Sequence, residues 1–152
     1  MTEERTGGEG GRRGEASAPG PHERIRNLSY SDQLKVAREG EQQERALLER
    51  LYGKTVWEAL LLNPRITVHE VGRIACKGAL PKALLETIVS NRAWLSNAKV
   101  RRGVLTNPRL SREKIDQVLR AMPKAELKLV QKQSIYSPTV REAARKLAVG
   151  GR

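Results

Sequence analysis

The sequence predicts an all-α fold in which residues 25–149 form a short array of helical repeats, preceded by a disordered tail over residues 1–24. From about residue 29 onward, apolar residues recur at the spacing of amphipathic helices, as Ile115, Val118, Leu119 and Met122 do. Polar residues that commonly cap helices stand before several of these runs, and one turn sequence occurs twice. No alternating pair of runs indicates a β-hairpin.

The first 23 residues are rich in Gly, Glu, Arg, Ser and Pro and have no helical or strand periodicity. Such a segment buries too little apolar surface to offset the entropy of ordering, so we expect a disordered tail that is either a solvated terminus or a tether for a partner. The chain has no apolar run of the roughly 20 residues that span a bilayer. Because no secretory signal is recognisable and Cys76 is the single cysteine, we expect a reduced, cytoplasmic compartment.

Capping residues predict eight or nine short helices. Thr67 and Glu70 have capping-box spacing, in which the hydroxyl accepts from the Glu70 amide and the carboxylate accepts from the Thr67 amide. Further predicted starts follow Asn97, Ser111 and Ser137, and predicted ends lie at Gly40, Gly53 and Gly78.

Two segments, residues 56–62 and 83–89, are apolar on nearly every side, which indicates helices packed between neighbours. We also expect Trp57, Trp94 and Tyr136 to fill the core, because the chain has no Phe. The remaining predicted core residues are Leu47, Leu48, Leu61, Val71, Ile74, Leu85, Ile88, Val104, Ile115, Val118, Leu127, Val130 and Leu147.

The turn sequence NPRIT at residues 63–67 recurs as NPRLS at residues 107–111, and residues 56–65 align with residues 100–109. An earlier, degenerate copy brings the total to about three units. A period of roughly 40 to 47 residues built from two or three helices is typical of HEAT and armadillo arrays. Over residues 29–148 the chain resembles the HEAT-like and leucine-rich-repeat-variant helical domains of bacteria, whose units place Asn-Pro before a Ser or Thr that opens a helix. The resemblance implies a binding surface rather than a reaction.

Charge is concentrated in one part of the chain. The net charge is +12, and residues 60–152 carry 19 Lys and Arg against 6 Asp and Glu. Arg65 and Arg109 hold equivalent places after the Asn-Pro turns, where each either binds an external phosphate or carboxylate or pairs with a carboxylate of a neighbouring repeat. The other candidate binding residues are Arg101, Arg102 and Arg141, at matching helix positions, and Lys124, Lys128 and Lys132, which we expect on one helix face.

No catalytic or metal-binding pattern is recognisable. His22 lies in the predicted tail, His69 stands alone in a first helical turn, and Cys76 follows Ile74 and Ala75 on an apolar flank, so we expect a buried thiol. We therefore expect no enzyme activity, metal or cofactor. The sequence predicts a module that presents a basic helical surface to an acidic protein partner, and the alternative is nucleic-acid binding through the same surface without sequence preference.

Overall fold

The computed structural model describes residues 20–150, and within that range every regular element is helical. The predicted all-α fold is therefore confirmed. A 3₁₀ turn spans Gly53–Thr55, and the α-helices are α1 (Pro21–Arg26), α2 (Tyr30–Glu39), α3 (Gln42–Tyr52), α4 (Trp57–Leu61), α5 (Val68–Ala75), α6 (Lys82–Val89), α7 (Arg92–Leu95), α8 (Ala98–Thr106), α9 (Arg112–Arg120), α10 (Lys124–Val130) and α11 (Pro138–Gly150).

Helices α2, α5 and α9 each begin at a hydroxyl-bearing cap residue, and each packs against a later helix. The hydroxyls of Ser29, Thr67 and Ser111 accept hydrogen bonds from amides in the first turns of α2, α5 and α9. Each of these helices packs against a later one: α2 against α4, α5 against α8, and α9 against α11. The capping box of Thr67 and Glu70 is confirmed, and the side chains of Asn97 and Ser137 cap α8 and α11 as predicted.

The two Asn-Pro turns are tied to earlier parts of the chain by the amide groups of Asn63 and Asn107, which are both buried. The Asn63 Nδ2 donates to the carbonyls of Ala37 and Gly40 at 3.0 Å, where α2 ends. The Asn107 Nδ2 donates to the Leu80 carbonyl at 3.4 Å. In both turns the Asn Oδ1 accepts from the amide of the arginine two residues later. Each amide group therefore fixes its own turn and links it to an earlier segment, which is the end of α2 for Asn63 and the connection between α5 and α6 for Asn107.

The core agrees with the apolar pattern of the sequence. Of the aliphatic residues predicted to be buried, all are buried except Leu47 and Leu147, which are half-buried. Trp57 and Tyr136 are buried as predicted, whereas Trp94 is only half-buried. Gly40 and Gly53 end α2 and α3, and Gly53 adopts a φ of +45°, a conformation that favours glycine.

Three further expectations are wrong. Cys76 is exposed, because α5 ends at Ala75 and Cys76 falls outside the arc of the helix that faces the core. Residues 20–150 contain eleven α-helices rather than eight or nine, because α4 and α7 are only five and four residues long. The segment 21–24, predicted as tail, belongs to α1 and includes the exposed His22. The rest of the predicted tail lies outside the described residues.

Candidate functional site

Several of the predicted binding residues meet around Tyr136, in the loop before α11. The Arg141 Nε donates to the Tyr136 carbonyl at 3.2 Å, and the guanidinium of Arg102 lies beside the Tyr136 hydroxyl. Glu126 of α10 is close enough to Tyr136 to influence its ionisation, and it binds Arg101. We call these five residues the Tyr136 junction. It joins α8, α10 and α11.

Arg101 is a structural member of this junction, and the prediction that it lies on the basic surface is wrong. Its side chain is 7% exposed. The Nε and Nη2 atoms donate to Glu126 Oε2 at 3.0 and 2.7 Å, and Nη1 donates to the Leu95 carbonyl at 2.8 Å. Arg101 stands four residues after the Asn97 cap, and its guanidinium reaches the first turn of α10. An arginine held in this way is not available to an external ligand.

Arg102 remains exposed. Burial raises the pKa of the Tyr136 phenol, and the adjacent Arg102 guanidinium only partly opposes this shift. The phenol therefore stays neutral at physiological pH, and the positive charge of Arg102 is not cancelled by it.

The predicted lysine stripe is shorter than expected. Lys124 and Lys128 lie one turn apart on α10, both are exposed, and neither forms an ion pair within residues 20–150. Lys132 is also exposed, but α10 ends at Val130, so Lys132 lies in the following turn rather than on the same helix face. Two lysines, not three, form the helical stripe.

Arg65 and Arg109 occupy equivalent turns but make different contacts. The Arg109 Nη1 donates to the Gly78 carbonyl at 2.8 Å. The guanidinium of Arg65 is exposed and has no hydrogen bond or ion pair in the part of the chain that the structure describes. Neither arginine pairs with a carboxylate of residues 20–150. The predicted alternative of an intramolecular pair with a carboxylate is therefore wrong for both.

A buried ion pair joins Arg45 and Glu70, and it was not predicted from the sequence. The Arg45 Nε and Nη2 donate to the two Glu70 carboxylate oxygens at 2.8 and 3.0 Å, while Nη1 donates to the Gly40 carbonyl. Burial raises the pKa of Glu70, but the hydrogen bonds from Arg45 and Thr67 outweigh this effect, so the net pKa lies below its usual value. One signal was present in the sequence: 25 residues separate Arg45 from Glu70, as they separate Arg101 from Glu126.

A groove of about 620 Å³ lies between the α8–α9 turn and the loop before α11. Arg112 and Arg141 line it together with Pro108, Ile135 and Ser137. Arg112 is exposed and its contact to Asp116 is long, at 3.6 Å. The groove is therefore lined by two arginines together with apolar and hydroxyl-bearing residues.

Within residues 20–150, no three His, Cys, Asp or Glu side chains are grouped so that they could hold a metal ion. Over the same range, none of the helices combines the length and the apolar character that crossing a membrane requires. We compared the chain with known protein families, with curated proteins and with solved structures. No family, curated protein or solved structure matches it.

Proposed function

We propose that this chain is a non-enzymatic binding module that presents a basic helical surface to an acidic partner protein. The observation that carries the proposal is that the chain does not neutralise its own charge. Residues 60–152 carry 19 basic and 6 acidic side chains, and four of those acids, Glu70, Asp116, Glu126 and Glu142, already form ion pairs. Few acids are left for the remaining cations, so further counter-charge has to come from outside this segment.

We also propose that the helices form a HEAT-like array of about three units. The capped starts of α2, α5 and α9, and the recurring contacts of these helices with α4, α8 and α11, support this interpretation. The equivalent amide groups of Asn63 and Asn107 support it further. Arrays of this kind expose extended surfaces that suit protein partners.

The binding surface that we propose consists of Arg102, Lys124 and Lys128, with Arg65 and Lys132 as further exposed cations. None of them forms an ion pair among the described residues. Exposed cations of this kind mainly accelerate association and provide specificity for acidic partners. Arg101 is buried and binds Glu126 of α10, so it does not belong to this surface.

Nucleic-acid binding uses the same cations and is the competing function. Two of the rings predicted for the core, Trp57 and Tyr136, are buried, and Trp94 is half-buried, so they offer little area for stacking on bases. The exposed ring of Tyr30 lies on α2, in the half of the chain where basic and acidic residues nearly balance. These observations favour a protein partner over a single-stranded nucleic acid. Duplex DNA needs no stacking, so it requires a direct test.

The test measures binding of labelled polyglutamate and of random-sequence duplex DNA by fluorescence anisotropy, at about 50 and 200 mM salt. Lys124→Glu/Lys128→Glu should weaken polyglutamate binding about tenfold, because two surface cations become repulsive. Lys35→Glu/Lys54→Glu is the matched control: both lysines are exposed, the net charge changes equally, and binding should stay within about twofold of wild type.

Equal losses in the two double variants would contradict a localised binding surface. Tighter binding to duplex DNA than to polyglutamate at the higher salt would replace the proposed function by nucleic-acid binding. Salt slopes separate the two cases further, since duplex binding that neutralises about four to six phosphates gives a slope of roughly −4 to −5 in log affinity against log salt.

A further inference from the structure

Two ion pairs join separate helices by the same arrangement. Arg45 and Arg101 each stand four residues after the cap of their helix, and Glu70 and Glu126 each stand three residues after the cap of a later helix. In both pairs the guanidinium also donates to a carbonyl that lies just before its own helix. In each pair, the first turn of the later helix supplies the carboxylate. A backbone carbonyl just before the earlier helix holds the arginine in place.

Arg141 has a similar place in its helix but lacks the carboxylate, and its backbone contact uses Nε, whereas Arg45 and Arg101 use Nη1. It stands four residues after Ser137, whose hydroxyl caps α11 by accepting from the Val140 amide. Its Nε donates to the carbonyl of Tyr136, the residue before the cap. Within residues 20–150 no carboxylate lies within ion-pair distance of it, although its side chain is half-buried. Both Nη groups are left to donate to a ligand.

The surroundings of Arg141 define the ligand more closely. The groove that it lines also contains Arg112, so an acidic ligand is attracted by two guanidinium groups. Glu142, the neighbouring acid, is already bound by Arg145 at 2.6 Å. Ile135, which is 57% exposed, and Pro108 add an apolar wall. A helix with a glutamate in its first turn and an aliphatic side chain beside it matches both features, whereas a phosphodiester backbone has no aliphatic side chain to pack on Ile135.

We propose that the two Nη groups of Arg141 bind a glutamate from the first turn of a helix of the acidic partner protein, in a pairing related to that of Arg101 with Glu126, where Nε and Nη2 are the donors. This inference rests on the proposed function, because it specifies the kind of partner that the basic surface binds. It adds a second contact region, the groove between Arg112 and Arg141, to the surface formed by Lys124 and Lys128. The charge-assisted, two-pronged geometry of an arginine with a carboxylate would set the orientation of the partner helix.

The probe is a lactam-stapled helical peptide with serine at the cap, glutamate at the third helical position and leucine on the same side. The matched peptide carries glutamine in place of the glutamate. Binding to the full chain is followed by NMR through the side-chain Nε–Hε signal of Arg141, with the signal of the buried Arg101 as an internal reference. We expect the glutamate peptide to shift the Arg141 signal and the glutamine peptide to bind about fivefold more weakly or worse.

On the protein side, Arg141→Gln should reduce the affinity for the glutamate peptide by a similar factor. Lys146→Gln removes the same charge from an exposed position on the same helix and should change the affinity by less than about twofold. Because Arg141→Gln also removes the bond to the Tyr136 carbonyl, its helical content and melting temperature are measured in parallel. The comparison of the two peptides on the wild-type chain does not depend on any variant folding.

Equal affinity for the two peptides, or no binding of the glutamate peptide at about millimolar concentration, overturns the inference. Self-association of the chain that disappears in Arg141→Gln also overturns it, because a second copy would then occupy the groove. If the glutamate peptide does not bind while polyglutamate binding still depends on Lys124 and Lys128, the proposed function stands without the contact at Arg141. If the glutamate peptide binds but polyglutamate does not, the groove binds a partner helix and the proposed binding surface at Lys124 and Lys128 is wrong.

Discussion

Arg45 and Arg101 are buried arginines whose charges are balanced by Glu70 and Glu126. Removing two charges from water is costly, and their attraction compensates only when the geometry is good and the other donors are also satisfied. Both arginines meet this condition through the carbonyls of Gly40 and Leu95. Loss of one partner therefore leaves an uncompensated buried charge, which is more costly than loss of an exposed ion pair.

The adjacent arginines of α8 provide a matched test of this argument. Arg101→Ala should lower the free energy of unfolding by about 2 to 3 kcal/mol, at or below the lower end of the range for buried pairs, because Glu126 is partly exposed. Arg102→Ala removes an exposed charge and should cost less than about 1 kcal/mol. Urea denaturation of both variants measures the difference. Similar losses in the two variants would contradict the assignment of Arg101 as the buried member.

The lowered pKa of Glu70 predicts a pH dependence of stability. Folding lowers the pKa of the Glu70 carboxyl below its ordinary value of 4.5. Ionised Glu70 therefore stabilises the fold fully above about pH 4.5, and this stabilisation is lost as the pH falls through the pKa of the folded state. Glu70→Gln should therefore be clearly less stable than wild type near neutral pH, and the gap should narrow below about pH 4.5. Urea denaturation at a series of pH values measures the gap. The double variant Arg45→Met/Glu70→Leu should lack the pH-dependent contribution of Glu70 to the free energy of unfolding. A difference between wild type and Glu70→Gln that widens on acidification would contradict the prediction.

For single residues, interactions within one helix could be predicted from the sequence, whereas interactions between helices could not. The capping role of Glu70 follows from its place three residues after Thr67, so it could be read directly. Its pairing with Arg45, 25 residues away, depends on how α3 and α5 are oriented. The burial of Arg101 was missed for the same reason. Cys76 was misassigned because the exact end of α5 decides which way its side chain points.

Helices α5 and α8 pack against each other at two glycines, Gly72 and Gly103. A Cβ on Gly103 would lie 2.7 Å from the Ala75 carbonyl carbon and 2.9 Å from the Cys76 nitrogen, and both belong to the backbone. A Cβ on Gly72 would lie 3.3 Å from the Lys99 side chain, which can move aside. The crossing of α5 and α8 therefore requires a glycine at position 103 much more than at position 72.

Gly103→Ala should destabilise the fold by about 1 to 3 kcal/mol, because separating two packed helices costs more than the gain in helix propensity of about 1 kcal/mol. Gly72→Ala makes the same chemical change in a helix and should be neutral or stabilising by up to about 1 kcal/mol. Thermal denaturation followed by circular dichroism compares the two. Equal stability of both variants would mean that α8 can shift away from α5 without loss.

The predictability of the helices depended on their length. Helices of about two turns or more with polar caps, such as α5, α8 and α9, carry enough apolar periodicity to be located from the sequence. The short helices α4 and α7 span about one turn, which is too little to display a period. The lysine stripe was overestimated for a related reason: the pattern continues to Lys132, whereas α10 stops at Val130.

Over the whole molecule, charge and packing are distributed differently. The helices pack along the whole described chain, from α1 against α3 to α10 against α11, while the positive surplus belongs to residues 60–152. The sequence predicted this asymmetry fully, since it is a matter of counting. It did not predict which cations stay exposed, because the pairing of Arg73, Arg101 and Arg145 is decided by the fold.

The unbalanced charge predicts that salt stabilises this protein. Raising KCl from about 20 to 300 mM shortens the Debye length from about 20 to about 6 Å, which screens repulsion among exposed cations more than attraction within the buried pairs. The melting temperature measured by calorimetry should therefore rise over this range. Lys124→Glu/Lys128→Glu should reduce the rise more than Lys35→Glu/Lys54→Glu, because Lys35 and Lys54 lie where basic and acidic residues nearly balance. A melting temperature that falls with added salt would mean that ion pairs, not repulsion, dominate the electrostatics of the fold.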